Sequence, residues 1–327
     1  MSTALLAVVA VILCILFRIL NVNSQPQKPT IWCGDNKFLD NVLKISPLLN
    51  EPYIPTRLWG FSGHVQTIIH SVIGRVKCPW PMGERIFLTL SDGTTLTYDM
   101  YQPLDTNFPD DISIAICPGI CNTSESVYIR TFVHWAQYHG YRCAVLNHVG
   151  ALPKVPVTAP RIFSYGNTDD FHAMLLNLIN RHPNTKLVCV GFSLGGNLVT
   201  KYLGESDRVK HPNIIGGISI CQGYNAIDWS SSINYLHNIE KPIIFVNAKD
   251  DPIVPEPLLE PIRKKATESP NTLYVEVAHG GHLGFYEGGL IYPNPVTWLD
   301  RTLVALVGSL ALHYDDKIMK TRSGLGV

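Results

Sequence analysis

The chain has no charge of either sign to spare: Lys and Arg number 26, and Asp and Glu number 26. Only 16% of its residues are charged. No basic stripe emerges, so nucleic acid is excluded as the expected partner. No low-complexity tract and no fixed-period repeat is present, which argues against disordered and solenoid classes. The 8 cysteines include no CxxC pair and no zinc-like spacing. No metal or cofactor is therefore expected. Cys117, Cys143, Cys189 and Cys221 fall in or at the end of apolar runs and read as small buried hydrophobes. Cys33 and Cys78 lie outside such runs and are the better disulfide candidates in an oxidising compartment.

What is present is apolar material, 46% of 327 residues. That suits one large α/β domain or two small ones. Residues 4–17 form an uncharged run, ALLAVVAVILCILF, followed by Arg18, Ile19 and Leu20. The run reaches the lower length for a spanning helix. No Lys or Arg precedes it and no small-residue cleavage site follows, so an uncleaved anchor at 1–20 is expected rather than a signal peptide. Two signals oppose each other on orientation. Arg18 and Lys28 on the C-terminal side favour a cytoplasmic domain. Asn122-Thr123-Ser124 is a glycosylation sequon and, if used, places the domain in the lumen or outside the cell. Asn122 with Glu125 also reads as a capping arrangement at a helix start.

Residues 21–55 read as a linker and arm, 56–315 as the main domain, and 316–327 as a tail. Within the domain, residues 85–90 and 95–101 alternate like strands around an Asp92-Gly93 turn. Strand-like runs follow at 112–117, 142–147, 186–191, 214–221, 242–246 and 272–277. Helical spacing covers 124–139, 169–180, 195–203, 256–267 and 296–312. Uninterrupted apolar strands alternating with helices predict an α/β fold: a mostly parallel sheet, helices on both faces, and an N-terminal antiparallel hairpin. Ligands in such sheets bind beyond the carboxyl ends of the strands.

Three motifs converge there. Gly191-Phe192-Ser193-Leu194-Gly195 follows an apolar strand and opens a helix, the context of a nucleophilic serine on a strained turn. Gly191 and Gly195 are needed where strand and helix pass too close for a Cβ. Asp250-Asp251-Pro252-Ile253-Val254-Pro255 follows a later strand. Asp251 is the expected carboxylate partner of a histidine, and Asp250 is the alternative. His279-Gly280-Gly281-His282 follows the last strand. His282 is the expected base, and His279 is the alternative. The oxyanion donors expected are the backbone N–H groups of Leu194 and Ile120, the latter in Pro118-Gly119-Ile120. The block Trp59-Gly60-Phe61-Ser62-Gly63-His64-Val65-Gln66-Thr67 is dense in glycine and aromatics, but its chemistry is not self-evident, and His64 reads as structural.

These motifs, together with Trp59-Gly60-x-Ser62-Gly63-His64-x-Gln66-Thr67, Tyr128-Ile129-Arg130-Thr131-Phe132, Cys221-Gln222-Gly223-Tyr224 and Gly280-Gly281-His282-Leu283-Gly284-Phe285, resemble the abhydrolase-domain monoacylglycerol lipases of the YheT-like esterase group. The resemblance runs from about Pro47 to Leu303. It implies the α/β-hydrolase fold, an acylglycerol lipase or acetylesterase activity on a lipid ester, and a steroid effector in some members. It also implies a single-pass type II membrane protein of the plasma membrane or endoplasmic reticulum, with a luminal or extracellular domain. The likeness breaks in one place. Relatives carry a cap of several dozen residues after the Cys-Gln-Gly-Tyr block, where this chain has only residues 225–241. A lipid- or steroid-binding protein with reduced turnover is the alternative that this short segment motivates.

Overall fold

A nine-stranded sheet organises the domain. The computed structural model describes residues 3–72, 79–105, 111–208, 210–223 and 231–324, with side chains described to residue 319. Cys78, Tyr224, residues 225–230 and the last three residues of the expected tail lie outside them.

The first helix, α1 (Thr3–Leu20), has a mean hydropathy of 2.8 and none of it is buried by the domain. It is long and apolar enough to cross a membrane. The arm that follows is built into the fold. Strand β1 (Thr30–Trp32) pairs antiparallel with β9 (Thr272–Val277), and α2 (Asn36–Ile45) packs against the C-terminal helix α8 (Trp298–Gly324). Asp35 caps α2 by accepting from the Lys37 N–H at 2.8 Å. Helix α8 continues well past residue 312, through most of the segment expected to be a tail. The aromatic-glycine block yields a helix that local pattern did not predict, α3 (Gly63–Val72).

The hairpin lies where Asp92-Gly93 puts it: β2 (Glu84–Thr89) and β3 (Thr95–Tyr101) pair antiparallel, with Gly93 at φ 81° in the turn. Then come β4 (Ile112–Cys117), α4 (Val127–Tyr138), β5 (Arg142–Asn147), α5 (Asp169–Arg181), β6 (Lys186–Phe192), α6 (Leu194–Gly204), β7 (Ile214–Ile220), β8 (Ile243–Ala248) and α7 (Glu260–Glu268). The strand order is β1-β9-β8-β7-β6-β4-β5-β3-β2, and every neighbour from β9 to β5 is parallel. Strands β4, β7, β8 and β9 are buried at every residue, as both-face coverage demands.

Alternation along each strand splits the core in two. Ile114 and Ile116 face one layer with Phe38, Phe132 and Leu303, from α2, α4 and α8. Ala115 and Cys117 face the other with Phe171, Leu198 and Ile262, from α5, α6 and α7. Filling either layer with a smaller residue would cost roughly 2–5 kcal/mol per large side chain removed. Cys117, Cys143, Cys189 and Cys221 are buried thiols, as their apolar runs imply. Cys33 is a free thiol that donates to the Asp35 carbonyl at 3.2 Å. The disulfide expected for it therefore has no counterpart among the described residues.

Candidate active site

The site is assembled by loops at the carboxyl ends of β4, β6, β8 and β9. Between β6 and α6 the chain reverses within one residue. Ser193 takes φ 52° and ψ −116°, a region that costs of order 1–3 kcal/mol for a side chain with a Cβ. The strain is held by packing on both sides. A Cβ on Gly195 would lie 1.9 Å from the Cys117 carbonyl oxygen, and one on Gly191 would lie 2.2 Å from that of Gly195. Both glycines are thus required by close approach, as the sequence reading expected. The Ser193 N–H is fixed to the Ile220 carbonyl at 2.8 Å.

Ser193 Oγ lies 2.8 Å from His282 Nε2, and His282 Nδ1 lies 2.8 Å from Asp251 Oδ2. Asp251 follows β8. Its other oxygen, Oδ1, accepts from the backbone N–H groups of Ile253 at 2.8 Å and Val254 at 3.0 Å. This turn gives the D-x-x-V-P spacing a physical meaning. The carboxylate folds its own loop and presents one free edge to the imidazole. With Nδ1–H held by Asp251, Nε2 is the lone-pair nitrogen facing the serine.

The two alternative residues also have places. Asp250 Oδ1 accepts from the Gly281 N–H at 2.9 Å, and its Oδ2 lies 3.4 Å from His279 Nδ1. His279 Nε2 lies 2.8 Å from Ser24 Oγ, in the linker below α1. Asp250 and His279 therefore tie down the loop that carries His282, and neither reaches Ser193.

The aromatic-glycine block supplies the rest of that loop's support. Thr67 Oγ1 accepts from the His282 N–H at 2.8 Å and donates to the Gly63 carbonyl at 2.8 Å. Gln66 bridges the Gly60 carbonyl at 2.7 Å and the Tyr286 N–H at 2.8 Å. Gly281, at φ 57°, passes Gly63 so closely that a Cβ would sit 2.3 Å from the Gly63 oxygen. His64 is exposed and plays no part. Thr67 and Gln66 were not singled out by sequence reasoning. The density of glycine in the block was the available signal.

Ser193 and His282 open into a cavity of about 520 Å³, lined also by Gly119, Ile120, Asn122 and Tyr128. Val72, Ile120 and Ile253 give it an exposed apolar rim. Leu194 is the first residue of α6, where a helix leaves its N–H without an intrahelical acceptor. In the β4–α4 turn, the Gly119 N–H donates to the Tyr128 hydroxyl at 2.9 Å. Ile120 is the next N–H along.

The expected cap at Asn122 and Glu125 is not formed. Helix α4 starts at Val127 with Ser126 as its N-cap, because Thr123 makes a tight turn with Glu125 and leaves Asn122 upstream. Asn122 Oδ1 instead accepts from the Tyr128 hydroxyl at 3.0 Å, and the residue lines the cavity. A glycan on its amide nitrogen would occupy the space in front of Ser193. The sequon's Ser124 is itself buried and donates to Asp99 at 2.6 Å.

Cys221, Asp251 and His282 offer ligand atoms within 4.8 Å of one another. Burial and the nearby Asp251 charge push the Cys221 thiol well above its ordinary range, so it stays protonated. With Asp251 and His282 already bonded, the group is a poor metal cage.

Known proteins resemble this chain along most of its length. The family described as the alpha/beta hydrolase fold matches residues 113–218 and 216–289. Abhydrolase domain-containing protein 2 of Drosophila melanogaster is 53% identical, covering 96% of this chain and 98% of its own. Monoacylglycerol lipase ABHD2 of Homo sapiens is 37% identical, covering 96% and 93%. The alignment with the Drosophila relative runs over 393 positions, more than the 327 residues of this chain, so that relative carries several dozen residues without counterpart here. Among solved structures, the Pyrococcus furiosus esterase Pf2001 superposes with a TM-score of 0.54 at 14% identity, covering 73% of this chain and 96% of that one. The chain belongs to the α/β-hydrolase fold family, and within it to the group of these abhydrolase-domain relatives.

Proposed function

We propose that this chain is a membrane-anchored serine hydrolase that cleaves monoacylglycerol and short-chain carboxylic esters. The observation that carries the reading is the unbroken line from Ser193 Oγ through His282 to Asp251, with both contacts at 2.8 Å, on a strained serine. Ser193 attacks the ester carbonyl as His282 Nε2 takes its proton. Asp251 stabilises the imidazolium. Oxyanion charge falls on the N–H groups of Leu194 and Ile120. Collapse expels the alcohol, which receives the proton from His282, and an acyl-Ser193 ester remains. Water then attacks that ester by the same relay and frees the carboxylic acid. The apolar rim suits an acyl chain, and the monoacylglycerol assignment draws on the similarity to monoacylglycerol lipase relatives.

The test is labelling with a fluorophosphonate probe beside hydrolysis of monoacylglycerol and a short-chain ester. Wild type labels and turns over both, and Ser193→Ala does neither. Equal labelling of Ser193→Ala ends the reading. Absence of any Ser193-dependent turnover would favour the lipid- or steroid-binding alternative.

Residues 225–241 stand, in this proposal, where relatives carry a cap. The described part, a 3-10 helix at Ser232–Asn238, lies along α6, with the Ser232 N–H on Asn197 Oδ1 at 2.8 Å. Among the described residues, none of 231–241 lines the cavity. The steroid effector implied by resemblance would act at this open cavity. Steroid-dependent change in Ser193 turnover tests it.

The orientation we propose is the type II one that the resemblance implies, with the domain luminal or extracellular in the plasma membrane or endoplasmic reticulum. Asn122 lends it no support from within the cavity. Protease digestion of the domain from the cytosolic side of sealed microsomes would reverse it.

A further inference from the structure

We infer that Tyr128 and Asn122 are positioning residues that set the oxyanion-binding turn of the hydrolase, an inference that rests on the Ser193 mechanism above. The turn between β4 and α4 has to hold one backbone N–H toward the cavity without help from a helix or a sheet. Tyr128, in the first turn of α4, reaches back over it. Its hydroxyl accepts from the Gly119 N–H at 2.9 Å and donates to Asn122 Oδ1 at 3.0 Å.

The two bonds define each other. A phenol has one proton and must present a lone pair to an N–H. With Gly119 donating, the proton turns to Asn122, whose carbonyl oxygen only accepts. Asn122 thus sets the rotor of the hydroxyl, and the hydroxyl sets which face of the Asn122 amide points inward. The Asn122 N–H closes the same turn on the Gly119 carbonyl at 3.1 Å, across Cys121 at φ 56°. A Cβ on Gly119 would meet Asn122 Oδ1 at 3.1 Å and the Tyr128 hydroxyl at 3.4 Å, so the bracket is shut against the backbone.

One consequence concerns which donor is left. The Gly119 N–H is engaged with Tyr128, so the turn's contribution to an oxyanion falls to Ile120. A second consequence is coupling. The Tyr128 ring stands edge-on to Phe192 at 5.3 Å, and Phe192 precedes Ser193. One side chain therefore touches both segments that supply oxyanion donors. On the far side, His148 Nε2 donates to the Pro118 carbonyl at 3.0 Å. Burial keeps that imidazole neutral, with its proton on the bonded nitrogen.

The experiment uses the full chain in detergent, with p-nitrophenyl acetate as substrate and Ser193 titrated by a fluorophosphonate. In Tyr128→Phe, kcat per titrated serine should fall about tenfold to a hundredfold, below the full loss of an oxyanion donor. KM should stay within about twofold, because the ground-state carbonyl makes little use of the hole. Inhibition by a trifluoromethyl ketone, whose adduct with Ser193 carries the oxyanion, should weaken in step with kcat. Asn122→Ala should show the same pattern at roughly threefold to tenfold, and it serves if Tyr128→Phe does not fold.

Values of kcat and ketone inhibition both within about twofold of wild type, in whichever variant folds, overturn the inference. Failure of wild type to label overturns the Ser193 reading itself, and is told apart by that.

Discussion

Two Asp–His pairs stand side by side in this molecule. Asp251 pairs with His282, and Asp250 pairs with His279. Each histidine also meets a serine through Nε2 at 2.8 Å, Ser193 in one case and Ser24 in the other. Residue types and order of contact are the same, yet their surroundings differ. The Asp251 carboxylate is fully buried and 2.8 Å from its histidine, whereas the Asp250 side chain is 24% exposed and 3.4 Å away. Ser193 is held at positive φ beside the first N–H of a helix and opens into a cavity. Ser24 lies in a linker, with its own N–H bonded to the Asn21 carbonyl at 3.0 Å. The lesson is that a Ser-His-Asp contact set is a hydrogen-bond chain first. Strain at the serine, donors for the oxyanion and room for an ester turn it into a catalyst.

The largest effect is expected at the serines. Ser193→Ala should lower kcat by roughly 10⁴–10⁶-fold, and Ser24→Ala should leave it within about threefold, the scale of one weak hydrogen bond. Steady-state hydrolysis of a short-chain ester decides, and a large loss in Ser24→Ala would erase the distinction. Next are the carboxylates. Asp251→Asn should lower kcat about 10⁴-fold by presenting the wrong tautomer of His282. Asp250→Asn keeps an acceptor for the Gly281 N–H and should cost about tenfold or less.

The loop between the pairs offers a finer cut. Thr67→Val removes the acceptor of the His282 N–H and should destabilise by about 1–3 kcal/mol, read as a lower denaturant midpoint. The smallest effect expected is that of His279→Gln. Its loss of stability should be under about 1.5 kcal/mol, with the pH profile of kcat unmoved, because His279 contacts Asp250 and Ser24 rather than Ser193. A profile shifted by His279→Gln would show that the two pairs act as one unit.

Much of this is legible in the sequence. The apolar strands, the helices between them and the Asp92-Gly93 hairpin are local patterns, so sheet class and direction followed. Ser193, Asp251 and His282 were legible because each sits in a short motif whose spacing is forced by a turn. The features missed are made by contacts distant in sequence. Strand β1 is three residues long and is a strand only because β9 offers an edge. Helix α3 begins with a glycine that must clear the Asp250 backbone, a Cβ there lying 2.0 Å from its oxygen, and no local propensity reports that. Asn122 read equally as sequon or cap from its neighbours. Its partner, six residues on across a turn, gives it a third role.

The bond from Ser24 to His279 has a mechanical reading. Ser24 is four residues beyond Leu20, where α1 ends. Four residues of chain reach at most about 14 Å. The loop bearing His282 is therefore moored on a leash shorter than half the hydrocarbon thickness of a bilayer, about 30 Å. A domain on so short a leash cannot wander or turn its mouth freely. If α1 lies in a bilayer, the distance a lipid must travel from its leaflet to the nucleophile is set by this tether.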